Sequence, residues 1–225
     1  MKIKLVLLLV LGLGLKNSFV QGSLDIIKSQ VASASDYQYA NSLEELQNGE
    51  RWGFHSRSLG SLEASSCFES QGVSSYDINN IVDLNLKTAW VEGKNDYGIG
   101  EFFTYSIEFD PDTKFGGSGQ FFGKLEVFNG YCKNEKLWEQ NSRIKQLKVY
   151  LNSTPLCIIE LQDTWQYQSV YIGHYFKNLA ADKNLDAKNI LKNGDRLKFE
   201  IVEIYPGTKY KDVAISEFLA AGAPN

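Results

Sequence analysis

The sequence predicts an all-β protein, an antiparallel sandwich of jelly-roll type with a short helical N-terminal extension. From about Ser61 onward, apolar and polar residues alternate with a period of two, as in strands that face a core on one side. Turn-forming residues separate these stretches at 110–112, 116–119, 193–195 and 206–207. About eight short strands with turns between them, and only short helical pieces, are typical of a jelly roll.

The chain begins with the features of an export signal. Two lysines precede an apolar run at residues 5–15, and small residues stand before Ser23 as at a cleavage site. The run is too short to favour a transmembrane segment. No cysteine follows it until Cys67, which argues against a lipoprotein. We therefore predict a signal peptide at residues 1–22 and an exported protein, extracellular, periplasmic or at the cell surface.

Residues 23–58 differ in pattern from the rest of the chain. A capping-box pattern beginning at Ser42 predicts a short helix. Upstream of it, three apolar residues are spaced like one face of another helix: Leu24, Ile27 and Val31. This segment is too small to hold a core of its own. It is predicted to be a helical extension or spacer before the main domain, which spans residues 59–225.

The predicted strands of the main domain follow in chain order. They lie at 103–109, 125–127, 147–151, 156–161, 197–201 and 213–219, and one further strand ends at residues 170–172. Between the last strands, residues 177–192 are polar and are interpreted as an inserted loop with a helical turn.

Charge and cysteine content limit the classes of partner. The net charge is −4, and it becomes −7 without the three lysines of the predicted signal. An acidic chain with no basic run argues against nucleic acid and against anionic membranes. The three cysteines allow at most one disulfide plus a free thiol, and their spacing matches no zinc site: Cys67, Cys132 and Cys157. The pairing stays open, and buried thiols are the simpler interpretation.

Several short sequence motifs in the main domain resemble those of a known family. The segments at 61–66, at 76–83 and at Thr88-Ala-Trp90 resemble the opening of discoidin-like domains, the coagulation factor V/VIII (F5/8) type C domains of the galactose-binding-like group. The phrases at 90–93, 98–101, 129–131, 135–136, 141–143, 205–212 and 214–217 are similar to the translocation, or NADase-type glycan-binding, domain of secreted streptococcal NAD glycohydrolases and their stand-alone bacterial relatives.

This resemblance covers about residues 60–220 and has two implications. It implies a carbohydrate-binding jelly roll of the galactose-binding-like group. It does not imply cleavage of NAD, because in the toxin that activity belongs to a separate catalytic domain, for which this chain has no room.

The resemblance also implies a structural Ca²⁺ site. Related domains often hold calcium at a loop like the one that carries Asp83, Asn85 and Thr88, closed by a glutamate of the last strand, which Glu217 matches. Calcium takes six to eight oxygens, so backbone carbonyls would have to join. Leu84 stands where the family usually has glycine, and a bulky residue resists a positive φ. The alternative is an Asx-turn that caps the preceding helical turn, with the glutamate paired to a lysine.

The predicted ligand-binding residues lie in loops that hold rings among amides and charges. A ring covers the C–H face of a sugar while polar neighbours bond its hydroxyls. An arginine adds a bidentate donor for vicinal hydroxyls or an acidic sugar. The predicted set is Glu92, Asn129, Tyr131, Lys136, Trp138, Asn141, Arg143, Tyr205, Lys209 and Tyr210.

Each of these predictions has a structural alternative. The rings at 131 and 138 would anchor their own loop, and Trp90 is interpreted as a core residue rather than a sugar platform. The guanidinium of Arg143 would bond Glu92 or Glu101 and hold two loops in register. The segment at 205–212 would be a tight connection with a restricted backbone conformation before the last strand.

Three functions remain open from the sequence. The first is a secreted, non-catalytic module that binds a glycan or glycoconjugate. The second is a hydrolase acting on sugars, in which two carboxylates from a set such as Glu92, Glu101 and Glu135 share a cleft and burial raises the pKa of one. The third is an adhesion module with a protein, matrix or cell-surface partner, for which Phe121 and Phe122 would form an apolar loop tip. The absence of a nucleophile–base set favours the first.

Overall fold

Two facing β-sheets form the framework of the protein. The structure is a computed structural model and describes residues 23–31, 60–108, 123–173, 191 and 193–221. The strands are β1 (Ile26–Lys28), β2 (Gln30–Val31), β3 (Gly60–Ala64), β4 (Trp90–Val91), β5 (Phe102–Ile107), β6 (Lys124–Asn129), β7 (Arg143–Leu151), β8 (Thr154–Glu160), β9 (Gln168–Tyr171), β10 (Arg196–Tyr205) and β11 (Ala214–Ala221). The helices are a 3₁₀ helix, Ile78–Val82, and α1, Glu135–Gln140.

The strand order confirms an antiparallel sandwich. One sheet has six strands in the order β1-β8-β7-β10-β5-β3, and the other has five in the order β2-β9-β6-β11-β4. Every pair is antiparallel except β1 with β8. The alternation seen in the sequence is the inward and outward pattern of these strands, as in β10, where Leu197, Phe199 and Ile201 are fully buried.

The predicted helix around Leu24, Ile27 and Val31 is wrong. Ile26–Lys28 pairs with β8 at the edge of one sheet, and Gln30–Val31 pairs with β9 at the edge of the other. Both sheets have an open edge here, and pairing satisfies backbone groups that a short isolated helix would leave to water. This part of the extension is therefore built into the sandwich. The helix predicted from Ser42 lies outside the described residues, as do residues 1–22 and Phe121–Phe122.

Aromatic side chains fill the space between the sheets. Phe199 of β10 stacks on Phe103 of β5 with centroids 5.2 Å apart, and Phe218 of β11 packs edge-on to both. Trp90 is fully buried and lies 5.6 Å from Phe103, which agrees with its interpretation as a core residue. These contacts join strands from both sheets, so one core determines where the strand ends, and hence the loops, are placed.

All three cysteines are free thiols. Cys132 and Cys157 are buried, and burial raises the pKa of each to about 12, while Cys67 is exposed. No helix in the described ranges is long and apolar enough to cross a membrane.

Candidate functional site

Three connections meet at one end of the sandwich. They are residues 92–101 between β4 and β5, 130–142 between β6 and β7, and 206–213 between β10 and β11. Their backbones are hydrogen-bonded to one another: Tyr210 N–H to Gln140 O at 2.8 Å, Ser142 N–H to Asp212 O at 3.0 Å, and Glu92 N–H to Val213 O at 3.1 Å. These bonds make one continuous surface, which we call the rim.

A short helix that the sequence analysis did not predict supports the rim. Asn134 caps α1, since its side-chain oxygen accepts the Leu137 N–H at 2.9 Å. The signal was available, because asparagine followed by Glu135 in the first turn is a helix start. The helix places Lys136 in solvent and leaves Trp138 half-buried against the sandwich.

Trp138 and Arg143 form an internal unit rather than a free surface. The guanidinium lies over the Trp138 ring at 4.3 Å, and the indole donates to the Asn129 carbonyl at 2.8 Å. Arg143 Nε and Nη2 donate to the two oxygens of Asp163 at 2.7 and 3.1 Å. Its remaining Nη1 bonds two backbone carbonyls. The partner expected from the sequence, Glu92 or Glu101, is therefore wrong: the carboxylate is Asp163.

Four other predicted ligand residues also use their polar groups inside the protein. Asn129 is fully buried and bridges the two sheets. Its Nδ2 donates to the Ile144 carbonyl at 2.7 Å, and its Oδ1 accepts the Ile144 N–H at 3.1 Å. Asn141 donates to the Leu137 carbonyl at the end of α1. Tyr131 is buried edge-on to Tyr76, and Tyr205 donates to the Leu161 carbonyl at 3.0 Å. These four residues and Arg143 therefore build the rim from below.

Lys136, Lys209 and Tyr210 are the predicted residues that the structure leaves exposed on the rim. Beside them lie groups that the sequence analysis missed: Tyr97, 41% exposed, with Ile99 and Lys211. The Lys211 ammonium is 5.6 Å from the centre of the Tyr97 ring, so the connections that carry Tyr97 and Tyr210 adjoin on the rim. The missed signal was Asp96-Tyr97-Gly98, an aromatic held in an Asx-turn whose Asp96 oxygen accepts the Gly98 N–H at 2.7 Å.

Two buried carboxylates hold the 92–101 connection in place. Glu92 is fully buried and accepts the Lys94 N–H at 2.7 Å and the Val213 N–H at 3.3 Å, so it joins two connections of the rim. Burial raises its pKa to about 7, against the effect of those hydrogen bonds.

The pKa of Glu101 is shifted in the opposite direction. Burial favours a raised pKa, but hydrogen bonds from Lys94, Ser65 and Ser66 outweigh it, and the pKa of Glu101 is lowered. Both Glu92 and Glu101 are almost completely shielded from solvent, with exposures of 0% and 2%. A hydrolase acid pair has to face substrate in an open cleft. Here both carboxylates face their own loops.

The four residues predicted for calcium come together. Asn85 N–H donates to Asp83 Oδ1 at 2.9 Å and to Glu217 Oε1 at 2.6 Å. The Thr88 hydroxyl lies 2.8 Å from Asp83 Oδ2 and 2.6 Å from the Asn85 carbonyl. Two carboxylates, a hydroxyl and a carbonyl are the oxygen donors that calcium prefers. Among the described residues, no group of three or more His, Cys, Asp and Glu could hold a metal, so any ion here would need the hydroxyl and carbonyls as well.

Leu84 bends this loop as glycine would. Its φ is +61°, in the left-handed region that L residues seldom adopt. Its side chain packs against the buried cluster of Leu86, Phe128, Cys132 and Tyr167, which offsets the backbone cost. Leu84 therefore adopts the positive φ despite its bulky side chain. The oxygen donors are of the kind that calcium takes, and Asp83 also forms the Asx-turn of the alternative, because its Oδ1 accepts the Asn85 N–H at 2.9 Å.

Comparisons with known proteins agree with this fold. The profile of the NAD glycohydrolase translocation F5/8 type C domain matches residues 54–220. No curated protein matches this chain.

Similar solved structures contain carbohydrate-binding modules of the CBM32 class. One holds the CBM32-1, CBM32-2 and M60 catalytic domains of ZmpB from Clostridium perfringens, with a TM-score of 0.50, 8% identity and 92% of this chain covered. This chain spans only 18% of that structure. Another is CBM32-3 from a family 31 glycoside hydrolase of the same organism, with a TM-score of 0.49, 12% identity, and 78% of this chain and 98% of that chain covered. The ZmpB likeness shows a shared fold.

Proposed function

Because the chain belongs to the NAD glycohydrolase translocation F5/8 type C domain family, we propose that it is an exported, non-catalytic module that binds a glycan through its rim. The observation that carries this proposal is the pair of exposed tyrosines, Tyr97 and Tyr210, on connections locked together by backbone bonds. Rings presented on a rigid scaffold suit the shallow, polar surface of a sugar.

The scaffold of the rim supports binding rather than catalysis. The carboxylates best suited to acid–base work, Glu92 and Glu101, are shielded and bonded to neighbouring loops. The CBM32 name of the ZmpB domains points the same way, toward carbohydrate. We also propose that a structural Ca²⁺ binds between Asp83, Thr88 and Glu217 and stiffens the loop without taking part in ligand contact.

A glycan array with the folded, full chain tests the function. Binding to a defined set of sugars should weaken about three- to tenfold in Tyr97→Ala and in Tyr210→Ala, the loss of one ring contact each. The matched control is Tyr171→Ala. That tyrosine is 46% exposed and carries a lysine ammonium 5.8 Å from its ring, but it ends β9 at the opposite end of the sandwich. An array that stays silent for a folded sample refutes the proposal.

One observation favours a second candidate, adhesion to a lipid surface. Ile99 is 51% exposed on the rim, and Val73 is fully exposed on the neighbouring connection before the 3₁₀ helix. Apolar loop tips of this kind insert into membranes in some proteins. Sedimentation with neutral and phosphatidylserine vesicles separates the two functions, and binding to vesicles that Ile99→Ser abolishes would favour adhesion.

A further inference from the structure

We propose, on the basis of the function proposed above, that the rim selects acidic saccharides, with Lys209 and Lys211 binding a carboxylate or sulfate group. This narrows the ligand from glycans in general to those that carry a negative charge. This inference rests on the positions of the Lys209 and Lys211 ammonium groups relative to the exposed rings of Tyr97 and Tyr210.

Each exposed ring on the rim has a lysine at its face. Lys211 Nζ lies 5.6 Å from the centre of the Tyr97 ring, and Lys209 Nζ lies 4.7 Å from the centre of the Tyr210 ring. A sugar that contacts either ring beside its lysine therefore brings its substituents next to an ammonium group. The two lysines flank Tyr210 in the chain, so both charges belong to the 206–213 connection of the rim.

Neither ammonium is neutralised by a carboxylate in the described part of the chain. Other lysines are paired: Lys94 with Glu101, Lys145 with Glu203 at 2.6 Å, and Lys198 with Glu200 at 2.6 Å. Lys209 and Lys211 have no such partner within 4 Å among the described residues. An unpaired ammonium beside an aromatic ring remains available to an anionic ligand, through a charge-assisted hydrogen bond.

The carboxylates of Asp96, Glu139 and Asp212 belong to the rim connections, and among the described residues none of them forms an ion pair with Lys209 or Lys211. Asp96, beside Tyr97, accepts the Gly98 N–H at 2.7 Å. Asp212 follows Lys211 but is half-buried, and burial raises its pKa. Glu139 is exposed on α1, and its backbone carbonyl accepts from Thr208. The chain as a whole carries −4, so attraction of an anion is a local property of this patch and not of the protein surface in general.

Matched saccharides and matched variants test this inference. The full chain is measured against one oligosaccharide in three forms, neutral, carboxylated and sulfated, at low and high salt. We expect the acidic forms to bind at least about tenfold more tightly, with the preference shrinking as salt screens the charges. Lys209→Gln with Lys211→Gln should remove the preference, so that the neutral, carboxylated and sulfated forms bind this variant with the same affinity.

The control variant is Lys148→Gln. Lys148 Nζ lies 5.1 Å from the centre of the Tyr150 ring, so the same lysine–tyrosine arrangement is present, but on strand β7 away from the rim. This variant should keep the wild-type preference. Equal binding of neutral and acidic forms by the wild type overturns the inference and leaves the glycan-binding function standing. A preference that survives the double variant overturns the assignment to these lysines. Silence with all three forms and across the array overturns both proposals.

Discussion

Substitution of Gly130 by alanine tests whether the Trp138–Arg143 unit holds the rim in place. Gly130 has a φ of +97°, and an added Cβ would lie 2.6 Å from Trp138 Cδ1, 2.8 Å from its Nε1 and 2.9 Å from Arg143 Cγ. Carbon atoms do not approach this closely, so the indole has to move. When it moves, it loses its hydrogen bond to Asn129 and its stack with the guanidinium.

The expected cost is about 3 kcal/mol. A positive φ at alanine costs about 1 kcal/mol. The lost hydrogen bond costs about 1 kcal/mol, and the lost cation–π contact about 0.5 to 1 kcal/mol. Urea unfolding measures the sum, because the midpoint should fall by about 1 M or more at a slope of about 2 kcal/mol per M.

Gly194→Ala is the matched control for this experiment. Gly194 has a similar φ of +86°, and nothing lies within 4 Å of its added Cβ. This variant bears only the backbone cost, about 1 kcal/mol. The difference between the two variants, about 2 kcal/mol, is the contribution of the Trp138 contacts. Equal destabilisation by the two substitutions would refute the idea that the indole is held in place by contacts worth that much.

Three further predictions concern the buried charges and the calcium loop. The raised pKa of Glu92, about 7 against 4.5, means that the folded state keeps a proton that the unfolded chain releases, so its contribution to stability should fall as pH rises from about 4.5 to 7. Urea unfolding at about pH 5 and pH 8 should show this loss in the wild type, and a loss undiminished in Glu92→Gln would contradict it. Arg143→Lys should cost about 1 to 2 kcal/mol of unfolding free energy, because one ammonium replaces the paired bonds to Asp163, and a change below about 0.5 kcal/mol would argue against the unit. Millimolar Ca²⁺ should raise the melting temperature of the wild type by several degrees, and Mg²⁺ should not. Ca²⁺ should have no effect on the melting temperature of Asp83→Asn. An unchanged melting temperature of the wild type in Ca²⁺ would refute the proposed site.

Local patterns in the sequence were enough to predict the sandwich and its loop-built end. Alternation predicted β5, β6, β7 and β10, because a half-buried strand has to alternate, and short apolar stretches predicted β8, β9 and β11. The short strands at Ile26–Lys28 and Gln30–Val31 were missed, since strands of two or three residues carry too little pattern and depend on partners more than 100 residues away. Helix α1 was missed because six residues give less than two turns of periodicity.

For the site, residue types predicted the right loops but not the direction of each side chain. Arg143 and Trp138 have the composition of a sugar site, yet they face each other and Asp163. Tyr97 was overlooked, although the fold places it beside Lys211 on the exposed surface. An aromatic or guanidinium group has similar chemistry whether it binds a ligand or another part of the protein. Partners distant in the chain decide between these uses.

The sequence by itself therefore determined the period of the strands, the positions of most turns and the family to which the chain belongs, because these depend on neighbouring residues and on local motifs. Only the tertiary structure decided which polar groups are hydrogen-bonded inside the rim and which face solvent. That choice depends on how strands from two sheets bring 92–101, 130–142 and 206–213 together, and contacts between such distant segments leave no local periodicity in the chain.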